Sequence, residues 1–206
     1  MTTPDARIWQ SAWNISQAQE NLNKLFEAFD LIECRNQGLV IEFDDADECE
    51  GEFIQPVWNA YYTVKRKTRS NAKVEGWITL AIQLTCDEGK EASWVFGKRA
   101  KVLVGYNPGR DFECAWEFNA GAPNAAGYCD DCEANETHWT FDDDGAISWF
   151  YALPLDEMTS VEAVKKLIVA PLHEILKAEE PQDPTGVLQG IGQHLCQPPN
   201  HSPDHI

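Results

Sequence analysis

Between residues 58 and 105 three segments rich in aromatic and β-branched side chains, WNAYYTVKRK, WITLAIQLTC and ASWVFGKRAKVLVG, are broken by the turn-forming stretches TRSNAK and DEGK. Side chains of that type suit a pleated, half-buried surface, and short polar breaks between them bring one strand back along the last. The pattern predicts a meander of antiparallel strands. Period-two alternation sets Ile78, Leu80, Ile82 and Leu84 on one face of the middle segment and Thr79, Gln83 and Thr85 on the other, which is expected to be partly wet.

The flanking sequence extends this sheet. GLVIEF reads as a short strand running into an acidic loop, DDADECEGE, whose charge resists burial. FECAWEF follows the break YNPGRD, and HWTF with AISWFYAL forms a hairpin around DDDG, where the Asp-Gly step tolerates the backbone of a tight turn. Between them lies the Gly- and Ala-rich loop NAGAPNAAGYCDDCEANET, of a length that is uncommon in a folded domain unless the loop is functional or mobile.

Helical periodicity brackets the strands. ISQAQENLNKLFEAFDLIE puts Ala18, Leu22, Leu25, Phe26 and Phe29 on one apolar stripe, with Ser16 and Gln19 as a capping box. Toward the other end Thr159 and Glu162 suit a second capping box, ahead of a stripe through Val161, Val164, Leu167, Ile168, Leu172, Ile175 and Leu176. Pro171 interrupts this stripe and predicts a kink, because proline lacks an amide hydrogen and crowds the preceding turn. The expected fold is α+β: an N-terminal helix, an antiparallel sheet of about seven strands, and a kinked C-terminal helix packed on the sheet. Residues 1–178 are read as one domain, and residues 179–206, rich in Pro, Gln and His, as a C-terminal tail.

A chain of 206 residues, 43% hydrophobic, can bury a core without covalent staples. Seven cysteines, an odd number, suit reduced thiols better than a disulfide framework. No stretch approaches the roughly 20 apolar residues of a membrane span, and MTTPDARIWQSAWN lacks the charged-then-apolar order of a secretory signal. A cytoplasmic location is expected.

Charge is the strongest compositional signal. The net charge is -18 at pH 7, which disfavours direct binding to nucleic acid or an anionic membrane because phosphate recognition needs clustered cations. Residues 36–64 contain no Lys or Arg but carry Glu42, Asp44, Asp45, Asp47, Glu48, Glu50 and Glu52, and residues 111–164 carry thirteen acids, Asp142, Asp143 and Asp144 among them, with no Lys or Arg. Residues 65–101 hold nine bases against four acids. Such blocks are ordinary solvated faces in many folds; here they also suit an acidic surface that steers a basic protein partner.

Motifs for chemistry are few. Cys129 and Cys132 have the C-x2-C spacing that can hold zinc from a tight turn, and His138 and Cys114 are the nearest candidates to complete four ligands. A second such pair is absent, and Asp130, Asp131 and Glu133 raise thiol pKa values and so oppose a redox role. The expectation is a reduced acidic surface loop and no cofactor, with zinc as the alternative. Asp87, Glu88 and Lys90 fall in a turn of a chain that would repel DNA, His173 with Glu174 and His194 near Cys196 lack a supporting nucleophile motif, and no Gly-rich phosphate loop occurs.

From these readings the expected function is a non-enzymatic, acidic module that binds a basic protein, as an inhibitor, immunity factor or chaperone does, with DNA mimicry as one version. Its partner-binding residues are expected to be Asp44, Asp45, Asp47, Glu48, Glu50, Glu52, Asp142, Asp143 and Asp144. The alternative is a small-ligand protein or enzyme with an aromatic-lined pocket between sheet and helices.

Overall fold

A computed structural model describes residues 4–36, 38–47, 57–67, 72–84, 100–109, 132–143, 145–177 and 183–196. Helix α1 spans Pro4–Ala28 and tightens into a 3-10 turn at Phe29–Ile32. Eight strands follow: β1 Cys34–Arg35, β2 Leu39–Ala46, β3 Val57–Lys67, β4 Ala72–Gln83, β5 Lys101–Pro108, β6 Glu133–Ala134, β7 Trp139–Asp143 and β8 Ala146–Pro154. They form one sheet in the order β1-β2-β3-β4-β5-β8-β7-β6, each neighbouring pair antiparallel. The α+β class and the meander agree with the sequence pattern. The two-residue edge strands β1 and β6 were beyond its reach, and FECAWEF lies outside the described residues.

One face of the sheet is covered by helices. Tyr62 and Val64 of β3, Ile78, Leu80 and Ile82 of β4, Val102 and Val104 of β5, and Tyr151 and Leu153 of β8 pack with Leu22, Leu25, Phe29 and Ile32 from the N-terminal side. Helices α2 (Val161–Val164) and α3 (Ala170–Leu176) contribute Val164, Leu172, Ile175 and Leu176 to the same core. Each such aliphatic side chain, fully buried, contributes about 1.5–3 kcal/mol, so the alternation in β4 and the helical stripes select one docking of sheet and helices.

The opposite face is drier than the alternation suggested. Thr79 and Gln83 are buried, at 1% and 0% exposure, in company with Asn59, Thr63, Asn107 and Ser148. Trp139 and Phe150 stack there at 4.9 Å beside Ala81, Leu103, Ala152 and Cys196. Polar residues at alternate positions identify a face without saying what covers it. Thr85 lies outside the described residues.

Three boundaries also move. Helix α1 begins at Pro4, so Ser16 sits in the helix interior and not at its cap; residues 6–17 are solvent-exposed and gave no one-sided stripe to read. Strand β2 continues through Asp44 and Asp45, past the loop boundary that the sequence predicts, because carboxylates on an exposed strand incur no desolvation cost. The second cap is Ser160, whose hydroxyl accepts from the Ala163 amide at 3.2 Å, one residue after Thr159. The kink is present as a π-helical turn, Lys165–Val169, with Pro171 in the first turn of α3.

Part of the segment assigned to the tail belongs to the core. Helix α4 spans Thr185–Gln189, and Leu188, Ile191 and Leu195 join the helix-covered core at helical spacing. The Cys196 amide then donates to the Ala152 carbonyl at 2.8 Å, fastening the segment to β8.

Candidate functional site

Among the described residues two concavities flank the sheet, one at the β2 margin and one near the β7–β8 hairpin. On α1, Gln19, Asn23, Phe26 and Glu27 recur at helical spacing and face the end of β2 and β3. With Asp47 and Trp58 they line a cavity of about 380 Å³. Its floor is aromatic, Phe26 meeting Trp58 edge to face at 6.4 Å, and the buried Trp58 Nε1 has no hydrogen-bond partner.

Among the described residues Glu27 and Asp47 bring carboxylates to this cavity. The Asp47 amide donates to the Asn59 carbonyl at 3.0 Å, while its carboxylate accepts from the Asn59 amide and side chain, both at 2.9 Å. That clamp holds Asp47 at the cavity mouth. Asp44 and Asp45 are exposed along β2, the latter accepting from the Ala46 amide at 2.8 Å. Glu42, by contrast, is neutralised by Lys65 at 2.5 Å and Arg35 at 3.2 Å.

The other expected acids do not join them. Asp142 and Asp143 lie on β7, five strand spacings from β2 in the sheet order, or about 24 Å. Asp142 accepts from the Gly145 amide at 2.7 Å and so shapes the hairpin turn, where Gly145 has φ 88°. Glu48, Glu50, Glu52 and Asp144, and the side chain of Asp143, lie outside the described residues. The sheet thus divides the described members of the acidic set between two margins.

The second concavity, about 620 Å³, opens between the sheet and the start of α4. Pro108, His138, Thr140, Ile147 and Trp149 belong to the sheet side; Asp183, Pro184 and Thr185 face them. Thr140 is paired with Trp149 across β7 and β8, so alternation carries His138, Thr140, Ile147 and Trp149 to one face. His138 is 2% exposed, and its Nδ1 lies 3.1 Å from Thr137 Oγ1 and its Nε2 3.4 Å from Asn135 Nδ2. Burial pushes its pKa below the ordinary 6.5, with the Asp183 charge pulling the other way. Asp183 accepts from the Thr185 hydroxyl at 2.6 Å and the Thr185 amide at 3.0 Å, which hold its carboxyl below the usual carboxylate range.

Of the sequence-derived zinc ligands, Cys132 packs beside Ala134 against the Trp139–Phe150 cluster, whereas His138, adjacent to Trp139 in the strand, faces the cleft on the other side. The two are not brought together; Cys114 and Cys129 lie outside the described residues. Among the described residues no group of three or more His, Cys, Asp or Glu side chains stands close enough to hold a metal ion. The other two described histidines tie elements together: His173 Nε2 donates to the Ile32 carbonyl at 2.9 Å, and His194 Nδ1 lies 3.0 Å from Glu157. Asp183 and Trp149 were missed as site residues because one sits in the presumed tail and the other reads as an ordinary core aromatic.

Comparison with protein-family models, with curated proteins and with solved structures finds no match to this chain. No helix among the described residues is long and apolar enough to cross a membrane.

Proposed function

We propose that this protein is a non-enzymatic binding module that engages a basic protein partner through the margin formed by β2 and α1, in the manner of an inhibitor, immunity factor or chaperone. The observation that carries the reading is the cavity floored by Phe26 and Trp58 and rimmed by Glu27 and Asp47. A cavity of about 380 Å³ has room for a Lys or Arg side chain. The aliphatic stem would lie on the rings, and the cationic head would meet the carboxylates and the aromatic face, a contact of about 0.5–1 kcal/mol at an exposed site. Asp44 and Asp45 extend the negative field along the strand and would accelerate encounter with a basic surface.

The test is fluorescence anisotropy with Lys-rich and Glu-rich peptides of equal length, at rising salt. The Lys-rich peptide is expected to bind and to weaken as salt screens the margin. A Glu27→Gln, Asp44→Asn, Asp45→Asn variant should bind at least tenfold more weakly and with a flatter salt dependence, and Trp58→Leu should weaken binding without flattening it. Equal binding of the two peptides, or full affinity in both variants, would remove the margin from consideration. Competition by duplex DNA for a partner captured from the native host separates DNA mimicry from the general case.

A further inference from the structure

The cleft near α4 stands apart from the acidic margin and has the marks of a second site. We propose that it binds a small molecule carrying a protonated amine on a flat, apolar body.

Polarity of the lining sets the class. Among the described lining residues Asp183 is the one charged side chain, and Asp142 stands across β7 and β8 from the lining residue Ile147. No Lys or Arg is among the described lining residues. In a chain of net charge -18 this disfavours an anion and favours a cation. Pro108, Ile147, Pro184 and the Trp149 ring supply apolar walls for the body of the ligand.

Hydrogen-bonding capacity points the same way. Asn135 Nδ2 stands 3.4 Å from Thr140 Oγ1 and from His138 Nε2, so with the amide donating, Nε2 is the acceptor and the imidazole carries its hydrogen on Nδ1, toward Thr137 Oγ1. The Asp183 carboxylate then offers the acceptor for an ammonium group, and the neutral imidazole, its one lone pair already engaged by Asn135, adds no opposing charge. Trp149 is 2% exposed and its Nε1 has no hydrogen-bond partner. An ammonium group brings no acceptor to that donor, so the indole contributes to the site as an apolar wall. The volume of about 620 Å³ lies within the range of small-molecule pockets and exceeds what one protein side chain fills.

Calorimetric titration of the full chain with 2-phenylethylamine, 2-phenylethanol and 3-phenylpropionate tests the assignment, with the Trp149 indole N–H resonance, identified through Trp149→Phe, as a local reporter. The amine should bind at least tenfold tighter than the alcohol and the carboxylate and should move that resonance. Asp183→Asn preserves an oxygen for the Thr185 contacts and should bring the amine to the affinity of the alcohol. Ile147→Arg, at a position 55% exposed and therefore tolerant of change, should abolish amine binding by placing a cation in the cleft. Absence of binding by all three compounds, a carboxylate or alcohol that matches the amine, or an Asp183→Asn or Ile147→Arg variant with unchanged amine affinity would each overturn the proposal.

Discussion

The hydroxyl of Tyr151, on β8, donates to the carbonyl of Leu167 at 3.0 Å, and that carbonyl is the one whose α-helical donor would be the amide of Pro171. Proline has no hydrogen to give. The sheet thus supplies from below what the helix loses at its kink, and both residues are buried. Tyr151→Phe is expected to destabilise by about 1–3 kcal/mol, the cost of leaving a buried acceptor unsatisfied. Pro171→Ala should recover part of that loss in the Tyr151→Phe background while doing little for the parent. Urea unfolding of the two single variants and the double variant measures the coupling; strict additivity would disconnect the hydroxyl from the proline.

Gly76 performs a different service for the same core. A Cβ at this position would lie 2.5 Å from Tyr106 Oη and 2.6 Å from ring carbons, and that ring is pinned beside Trp149 at a centroid distance of 5.9 Å. Gly76→Ala should therefore cost about 1–3 kcal/mol through overpacking. Truncating Tyr106 to Leu in the same chain should lower the penalty of the alanine. If Gly76→Ala leaves the thermal midpoint unchanged, the ring has room that the packing denies.

Legibility followed the physics of each residue. Ile78, Leu80 and Ile82 declared a strand face because burial of alternate positions needs no partner to be named, and Pro171 declared a kink because its defect is local. Thr79 and Gln83 misled, since polar side chains are compatible with either water or a covered polar layer. Asp44 and Asp45 could sit on a loop or an exposed strand with the same solvation, so charge alone did not place them. The cavity at Trp58 joins α1 to β3, and the cleft at His138 joins β7 to α4; both depend on contacts between segments far apart in sequence. No local spacing encodes such a meeting, and the Pro-rich composition around residue 183 concealed the helix that completes the cleft.

Buried His138 makes stability depend on pH with a definite sign. Its folded pKa is held below 6.5 by burial, against a partial upward pull from Asp183, whereas in the unfolded chain it titrates near the ordinary value. Above about pH 6.5 neither state binds the proton and its contribution is flat. As the pH falls below that value the unfolded chain takes up the proton first, so unfolding is favoured and stability declines until the folded imidazole also protonates. Unfolding free energies measured by urea from pH 7.5 to 5.0 should fall more steeply for the parent than for His138→Phe, whose remaining slope reports all other groups. Asp183→Asn removes the charge that pulls the imidazole pKa upward, so it should lower the folded pKa further and extend the region of decline to lower pH. Parallel slopes in the parent and His138→Phe would mean that His138 meets the proton as readily folded as unfolded, and the imidazole would then be cationic, not neutral, in the lower part of that range.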